Sequence, residues 1–311
     1  MPHQAIYQYR FSVFTATYNR GQNLYSLFND LCNQTYKNFE WVVVNDGSTD
    51  NTDSIIQSFI ATKKLNITYI NQAKNGGKHN AWREALKAFK GRYIITADDD
   101  DPFLNNALEI HNKYWKQLES DKEYDSFWEV RTRCIYPNGE IIGRPLPAPY
   151  FDSNYIDVNF KYKNNVEMVG SRKVEVLRNE ASVPKFHFEE NCSNFPEALR
   201  WIRAAKAYKT RFVPDVTRIY RPNPDGLTVV AAPNKKSKYN TLIWGGYMLL
   251  ENRKLLIKWT PITYAKLIIL VGYISAQLNE NPSPFKLSFP ERLFTYFTFK
   301  LSKIYLKLKK A

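Results

Sequence analysis

Short, almost wholly apolar runs alternate with amphipathic stretches over the first hundred residues. Residues 10–16 (Arg-Phe-Ser-Val-Phe-Thr-Ala) and 39–44 (Phe-Glu-Trp-Val-Val-Val) read as strands, the second apolar enough to be covered on both faces. Leu24, Leu27, Phe28 and Leu31 recur at helical spacing between them, and Ile55, Ile56, Phe59 and Ile60 do so after the second strand. Residues 67–70 form a third strand. A helix through Trp82, Leu86 and Phe89 follows, Gly91 stops it, and Tyr93, Ile94 and Ile95 begin a fourth strand. Strands separated by helices at this spacing predict βαβ units and a mostly parallel sheet with helices on both faces, an α/β, Rossmann-like fold.

Beyond residue 101 the pattern loosens. Residues 127–131 read as a strand, 136–140 as a hairpin turn into 141–143, and the Pro- and aromatic-rich stretch 145–155 as an irregular connection. Residues 218–221 read as a last strand before a Pro- and Gly-containing loop. Past Lys235 the periodicity is helical throughout. One helix starts through Leu242 to Leu250. A second, capped by Thr260 and Pro261, runs over 262–274, a length too short to cross a bilayer. In a third, Leu293, Phe294, Phe297, Leu301, Ile304, Tyr305 and Leu308 form one stripe, with Lys300, Lys303, Lys307 and Lys310 beside it.

Charge sharpens this division. Residues 235–311 hold 14 Lys and Arg against Glu251, Glu280 and Glu291, so most of the formal +14 lies in the tail. A nucleic-acid enzyme concentrates positive charge around its chemistry, so the chain predicts no nucleic-acid partner and an anionic surface against the tail. An apolar stripe beside a lysine stripe suits a helix lying on an anionic membrane. Packing on the preceding domain, or a dimer contact, explains the same pattern. Cys32, Cys134 and Cys192 show no disulfide or metal-ligand spacing, and the first residues lack a signal-peptide pattern. Both point to a cytoplasmic protein, which the basic tail is expected to hold peripherally on the inner face of the cell membrane.

The candidate chemistry sits where strands end. In parallel sheets ligands bind beyond the carboxyl ends of the strands, and the polar loops 17–21, 45–50 and 98–101 all fall there. The fourth strand ends in Asp98, Asp99, Asp100 and Asp101. Side chains two apart on an extended segment point the same way, so Asp98 and Asp100 converge. Two hard oxygen ligands suit Mg²⁺ or Mn²⁺ completed by water and phosphate oxygens. Asp99 is expected to face away and Asp101 to start the next helix, with Pro102 at its first position. A solvated turn is the plainer reading of the same residues.

Four segments, Val-Phe-Thr-Ala-Thr-Tyr-Asn (13–19), Val-Val-Val-Asn-Asp-Gly-Ser-Thr-Asp (42–50), Asn-Gly-Gly-Lys-His-Asn-Ala (75–81) and Gly-Arg-Tyr-Ile-Ile-Thr-Ala-Asp-Asp-Asp-Asp (91–101), resemble in order and spacing the family 2 glycosyltransferases. These are inverting, nucleotide-sugar-dependent enzymes of the GT-A fold. The resemblance implies a non-processive enzyme with a GT-A domain over residues 1–234, its donor half about 1–101 and its acceptor half about 102–234, and a basic helical tail over 235–311. It implies that Ala16, Thr17 and Asp46 hold the nucleotide of a donor such as a UDP-sugar. Here Asn45 replaces the first Asp of the family's usual Asp-Asp-Gly-Ser. Asp98-x-Asp100 matches the family's metal element, with Asp98 also facing the donor. An Asx turn explains Asp46 equally in local terms. Gly76 and Gly77 permit close backbone approach, and Gly77 with Lys78 and His79 at a helix start suits a pyrophosphate; a plain glycine turn also fits.

An inverting displacement needs a general base on the acceptor hydroxyl. Glu197, in a Pro-Glu element before an apolar helix, is the candidate and Glu190 the alternative. A first-turn Glu favoured by the helix dipole is the bland account of Glu197. The expected reaction is sugar transfer to a glycan or lipid-linked acceptor in cell-surface polysaccharide synthesis. A nucleotidyltransferase would carry a Gly-rich loop after the first strand, which residues 17–20 are not. A non-catalytic sugar- or membrane-binding module would bind nucleotide without a metal.

Overall fold

Four parallel strands form where the apolar runs predict them: β1 (Tyr9–Thr17), β2 (Phe39–Asn45), β3 (Ile67–Asn71) and β4 (Gly91–Thr96). Each leads into a helix, in turn α1 (Leu24–Cys32), α2 (Thr52–Ala61), α3 (Lys78–Ala88) and α4 (Ala107–Glu119). The computed structural model describes residues 7–162, 164, 166–180, 198–222, 235–280 and 287–308. The chain divides into two units, Met1–Ser182 with Arg203–Asn223, and Val183–Ile202 with Pro224–Ala311.

The first unit is built on one eight-stranded sheet. Beyond β4 come β5 (Phe127–Ile135), β6 (Phe151–Ser153), β7 (Met168–Lys173), helices α5 (Val174–Glu180) and α6 (Ala198–Ala207), and β8 (Lys209–Ile219). The spatial order is β3-β2-β1-β4-β7-β5-β8-β6. β7 runs antiparallel to both β4 and β5, and β8 runs parallel to β5. Two reversals cancel, so β1, β2, β4, β5 and β8 all end at one edge. The sheet is therefore mixed in its second half. The sequence pattern passes over β7, a central strand that carries Arg172 and Lys173 and lacks an alternating apolar signature. It also reads β6 as part of an irregular connection.

Side-chain alternation splits the core into two layers. Phe11 and Val13 of β1, Trp41 and Val43 of β2, and Tyr93 and Ile95 of β4 pack under α1, α2 and α4, where Phe28 and Phe59 stack with ring centroids 4.3 Å apart. Phe14 points to the opposite face and meets Trp82 of α3 edge-on at 5.1 Å. Burial of this apolar surface is the dominant favourable term holding the sheet unit together.

One expectation fails at the end of β4. Asp101 does not start a helix. The Phe103 N–H donates to Asp30 Oδ2 (3.2 Å), the Leu104 N–H donates to the Thr217 carbonyl (2.9 Å), and Phe103 bridges to Arg218. These bonds hold the chain extended past Pro102, and α4 begins only at Ala107.

The second unit contains α7 (Lys235–Trp259), α8 (Pro261–Leu278) and α9 (Phe289–Leu308). Pro261 opens α8 as expected, but the Thr260 side chain makes no capping bond and its hydroxyl donates to the Leu256 carbonyl instead. The helix runs 18 residues rather than 13, because it starts at Pro261 and continues through Ser275 to Leu278. By length and composition alone it is long and apolar enough to cross a membrane, the one such helix among the described residues. The sequence-based length is thereby corrected. α9 opens on a capping box, in which the Ser288 N–H and hydroxyl both donate to Glu291 Oε2.

Candidate functional site: an acidic sheet edge

Hydrogen-bonded register carries Thr17 to Asn45 across β1 and β2, and sets Ala16 opposite Val44. The Asp46 N–H donates to the Thr17 carbonyl at 2.9 Å, which fixes where the loop after β2 leaves the sheet. Gly47 follows with φ +71°, and a Cβ there would lie on the backbone of Lys74 and Asn75. Only glycine lets the two loops meet this closely.

That approach explains Asp46. Its Oδ1 accepts from the Gly76 N–H and its Oδ2 from the Gly77 N–H, both at 2.8 Å. Burial pushes its carboxyl above the usual range, and the two amides partly offset this. The sequence places Asp46 and the glycine pair as separate ligand groups. In the structure they satisfy each other, so the loop before α3 is clamped to the end of β2. Asn45, where the family usually has Asp, donates through Nδ2 to Tyr69 Oη (3.2 Å) and Asn71 Oδ1 (3.1 Å).

The four aspartates separate by burial rather than by simple alternation. Asp98 and Asp100 keep 37% and 27% of their side-chain surface exposed, whereas Asp99 and Asp101 are buried. Lys78 Nζ donates to Asp98 Oδ1 at 3.0 Å, and that ammonium holds the Asp98 carboxyl below its ordinary range against partial desolvation, with Arg218 and Arg20 adding to it. Arg20 Nη2 donates to Asp100 Oδ2 at 2.8 Å and lies 3.1 Å from Asp99 Oδ1. Asp99 does not face away: its Oδ2 is 3.4 Å from the Thr17 hydroxyl, and burial pushes its carboxyl up to about 6 while Arg20 opposes. Local turn geometry after Thr96 defeats the strand-like alternation assumed from sequence. Asp101 accepts from the Arg221 N–H at 2.9 Å and, through burial, is also pushed up to about 6.

Arg218, near the end of β8, links these groups. Its Nη1 lies 3.6 Å from Asp98 Oδ2, its Nε 3.6 Å from Asp101 Oδ2, and its Nη2 pairs with Glu167. Arg20, Arg218 and Glu167 are the site residues that sequence reasoning does not single out. Residues 218–221 do read as a last strand, but nothing in that pattern marks the Arg218 side chain. Glu197 and Glu190 lie outside the described residues.

Among the described residues no three His, Cys, Asp or Glu side chains gather into a complete metal cage. A Mg²⁺ or Mn²⁺ ion that retains waters and phosphate oxygens needs only one or two carboxylates. The two exposed ones, Asp98 and Asp100, are hard oxygen donors facing partly exposed Lys78 and Arg20, a set that fits such an ion.

Comparison with known proteins agrees with this arrangement. The family model described as glycosyl transferase family 2 matches residues 12–134. An uncharacterized glycosyltransferase of Rickettsia bellii is 33% identical over 117 residues, 38% of this chain and 16% of its own length. The uncharacterized glycosyltransferase YwdF of Bacillus subtilis is 29% identical over 217 residues, 68% of this chain and 74% of its own. The chain spans only 16% to 53% of several curated relatives that it matches. Among solved structures, S. aureus TarS 1–349 in complex with UDP-GlcNAc superposes with a TM-score of 0.60 at 16% identity, covering 96% of this chain and 92% of that one. The mannosyltransferase PcManGT of Pyrobaculum calidifontis, in complex with GDP-Man and Mn²⁺, gives 0.53 at 17% identity, covering 97% and 88%. At these identities the structures show a shared fold. Residues 12–134, β1 to β5, thus match glycosyl transferase family 2, and the chain shares the fold of these glycosyltransferase structures.

Proposed function

We propose that the chain is an inverting, metal-dependent glycosyltransferase that moves a sugar from a nucleoside diphosphate donor to a glycan or lipid-linked acceptor in cell-surface polysaccharide synthesis. The observation that carries this reading is the exposed Asp98 and Asp100 pair, met by Lys78 and Arg20, at the carboxyl edge of a family 2 sheet. Solved structures of the same fold hold UDP-GlcNAc in one case and GDP-Man with Mn²⁺ in the other, which supports a nucleotide-sugar donor; a UDP-sugar is our choice.

Asp98 and Asp100 would hold Mg²⁺ or Mn²⁺, which supplies positive charge between these carboxylates and the diphosphate. Lys78 and Arg20 then offer their donors to phosphate oxygens. Ala16 and Thr17 border the nucleotide. Asp46 acts by holding Gly76 and Gly77, and so Lys78, in place. Glu197, or Glu190, takes the proton of the acceptor hydroxyl as its oxygen attacks the anomeric carbon and the bond to the diphosphate breaks. A lipid-linked acceptor puts the reaction at the inner face of the cell membrane, with the basic tail toward the lipid.

A nucleotide-sugar panel scored for release of nucleoside diphosphate tests the reading. Release from at least one donor, lost on chelation and restored by Mn²⁺ or Mg²⁺, is the expected result. Nucleotide binding without turnover of any donor, in the presence of acceptor lipid extracts, would sink it in favour of a binding module.

A further inference from the structure

Helix α9 turns most of its apolar side chains outward. It buries Glu291, Thr295 and Phe299, while Leu293, Phe294, Phe297, Leu301, Ile304 and Leu308 are exposed, Phe297 by 58% and Leu308 by 72%. Polar side chains seldom go inward while aromatic and aliphatic ones go outward when water is the only surroundings. The Thr295 hydroxyl is buried without a hydrogen-bond partner, as is the Ser275 hydroxyl on α8. In water such burial costs free energy with no apolar gain to offset it.

The contact between α8 and α9 follows the same logic. A Cβ at Gly272 would land on the Thr298 hydroxyl and 2.7 Å from the Thr295 carbonyl. Glycine, serine and threonine at the crossing let two backbones approach closely, which is how helices associate when their outer surfaces are bathed in lipid. α8 also turns Ile262 and Ile269 outward.

Charge selects among possible covers for the apolar stripe. At 100° per residue Arg292, Lys300 and Lys303 lie along one flank of it. A second copy seated on this face would bring two basic rows together, which repel. An anionic bilayer meets both features at once, with acyl chains against Phe297 and its neighbours and headgroups against the lysines.

We infer that the α8–α9 hairpin inserts its exposed apolar stripe into an anionic lipid bilayer, and is not held at the surface by charge alone. This extends the membrane location in the proposed function, and it stands on the helical unit independently of the chemistry at the sheet edge.

Flotation of the full chain with phosphatidylcholine/phosphatidylglycerol vesicles tests it. Wild type is expected to float and to stay bound at about 0.5 M salt, where charge attraction alone is screened within a few ångströms. Phe297→Glu with Leu301→Glu is expected to lower vesicle affinity more than tenfold with unchanged circular dichroism. Lys300→Gln with Lys303→Gln is expected to lower it only a few-fold and to flatten its dependence on phosphatidylglycerol content. Wild type remaining in solution, release by salt, or unchanged binding by the glutamate variant would each overturn the inference. So would a concentration-dependent dimer, seen by sedimentation, that the glutamate variant abolishes. Donor turnover measured on the same preparations separates the two readings: lost flotation with intact turnover strikes only the insertion, and the reverse strikes only the enzyme.

Discussion

Helices α4 and α9 are both two-faced, yet they place their polar atoms in opposite directions. α4 buries Leu108, Trp115 and Leu118, and where it also buries His111 both ring nitrogens find partners, Ser171 Oγ at 2.8 Å and Thr132 Oγ1 at 3.4 Å. The Trp115 indole N–H donates to the same Ser171 oxygen, so serine, ring and indole form one buried polar network. α9 buries a threonine hydroxyl without a partner and leaves Phe297 outside. α4 thus finds partners within the sheet unit for the polar ring it buries. The exposed stripe of α9 is the surface that the inferred bilayer contact would cover.

The most severe test of the sheet side is Asp100→Ala, which should lower metal-dependent transfer by about 10²- to 10³-fold, the scale of removing one charge-stabilising group from an active site. Asp99→Asn, which keeps hydrogen-bonding atoms toward Thr17 and Arg20, should cost less than tenfold. Steady-state turnover of both variants ranks them, and the opposite order would overturn the roles assigned here. On the helical side, Gly272→Leu forces α8 and α9 apart and should cost about 3 kcal/mol, the upper range for overpacking. Hydrogen exchange reads this unit by unit. Amides of α8 and α9 should lose about 10²-fold protection while those of β1 to β4 keep theirs.

The His111 network predicts a pH dependence confined to the sheet unit. Burial pulls its pKa down to about 3 from an ordinary 6.5. The folded state therefore favours the neutral ring, so this contribution is complete above pH 6.5 and is lost as pH falls from 6.5 toward 3. At pH 5 the loss amounts to about 2 kcal/mol from this group. Urea unfolding at pH 7 and pH 5, followed through the exchange of α4 amides, should show wild type losing about 2 kcal/mol more than His111→Gln, a difference that cancels the opposite contributions of the raised Asp99 and Asp101 carboxyls. Equal losses in the two would mean that the ring is not held neutral.

What the sequence made legible follows from the range of the interactions involved. β1 to β4 and α1 to α3 were readable because each carries its own periodicity, and Asp98 and Asp100 because they end such a strand. Arg218 was not, because it lies 120 residues from Asp98 and reaches it only after β7 reverses the sheet and β8 returns it to the same edge. The helix expected at Asp101 failed for a similar reason: Leu104 is bonded to Thr217, far along the chain. The stripe on α9 was legible from periodicity alone, but its orientation was not, since a helical wheel does not say which side faces in. Gly272 and Thr298 decide that.

Asn45 offers the finest test, because reverting it to the family's usual Asp should harm this particular chain. The Asn45 amide nitrogen donates to both Tyr69 Oη and Asn71 Oδ1, and its oxygen accepts from the Ser48 N–H at 3.1 Å. Asp53 already takes the Tyr69 proton at 2.7 Å and an Asn71 amide proton at 3.2 Å. A carboxylate at position 45 would keep the Ser48 N–H on one oxygen but turn its other oxygen toward the Tyr69 and Asn71 oxygens, with the Tyr69 proton already given to Asp53. The buried position denies it water. Asn45→Asp should therefore destabilise the sheet unit by about 1 kcal/mol, at the low end for a buried group left unsatisfied. Adding Asp53→Asn should recover most of that, since the Tyr69 proton is then free to turn toward residue 45. Recovery in the double variant, read by urea unfolding, would tie the family departure at Asn45 to Asp53. Strict additivity would leave the substitution at 45 without this structural cause.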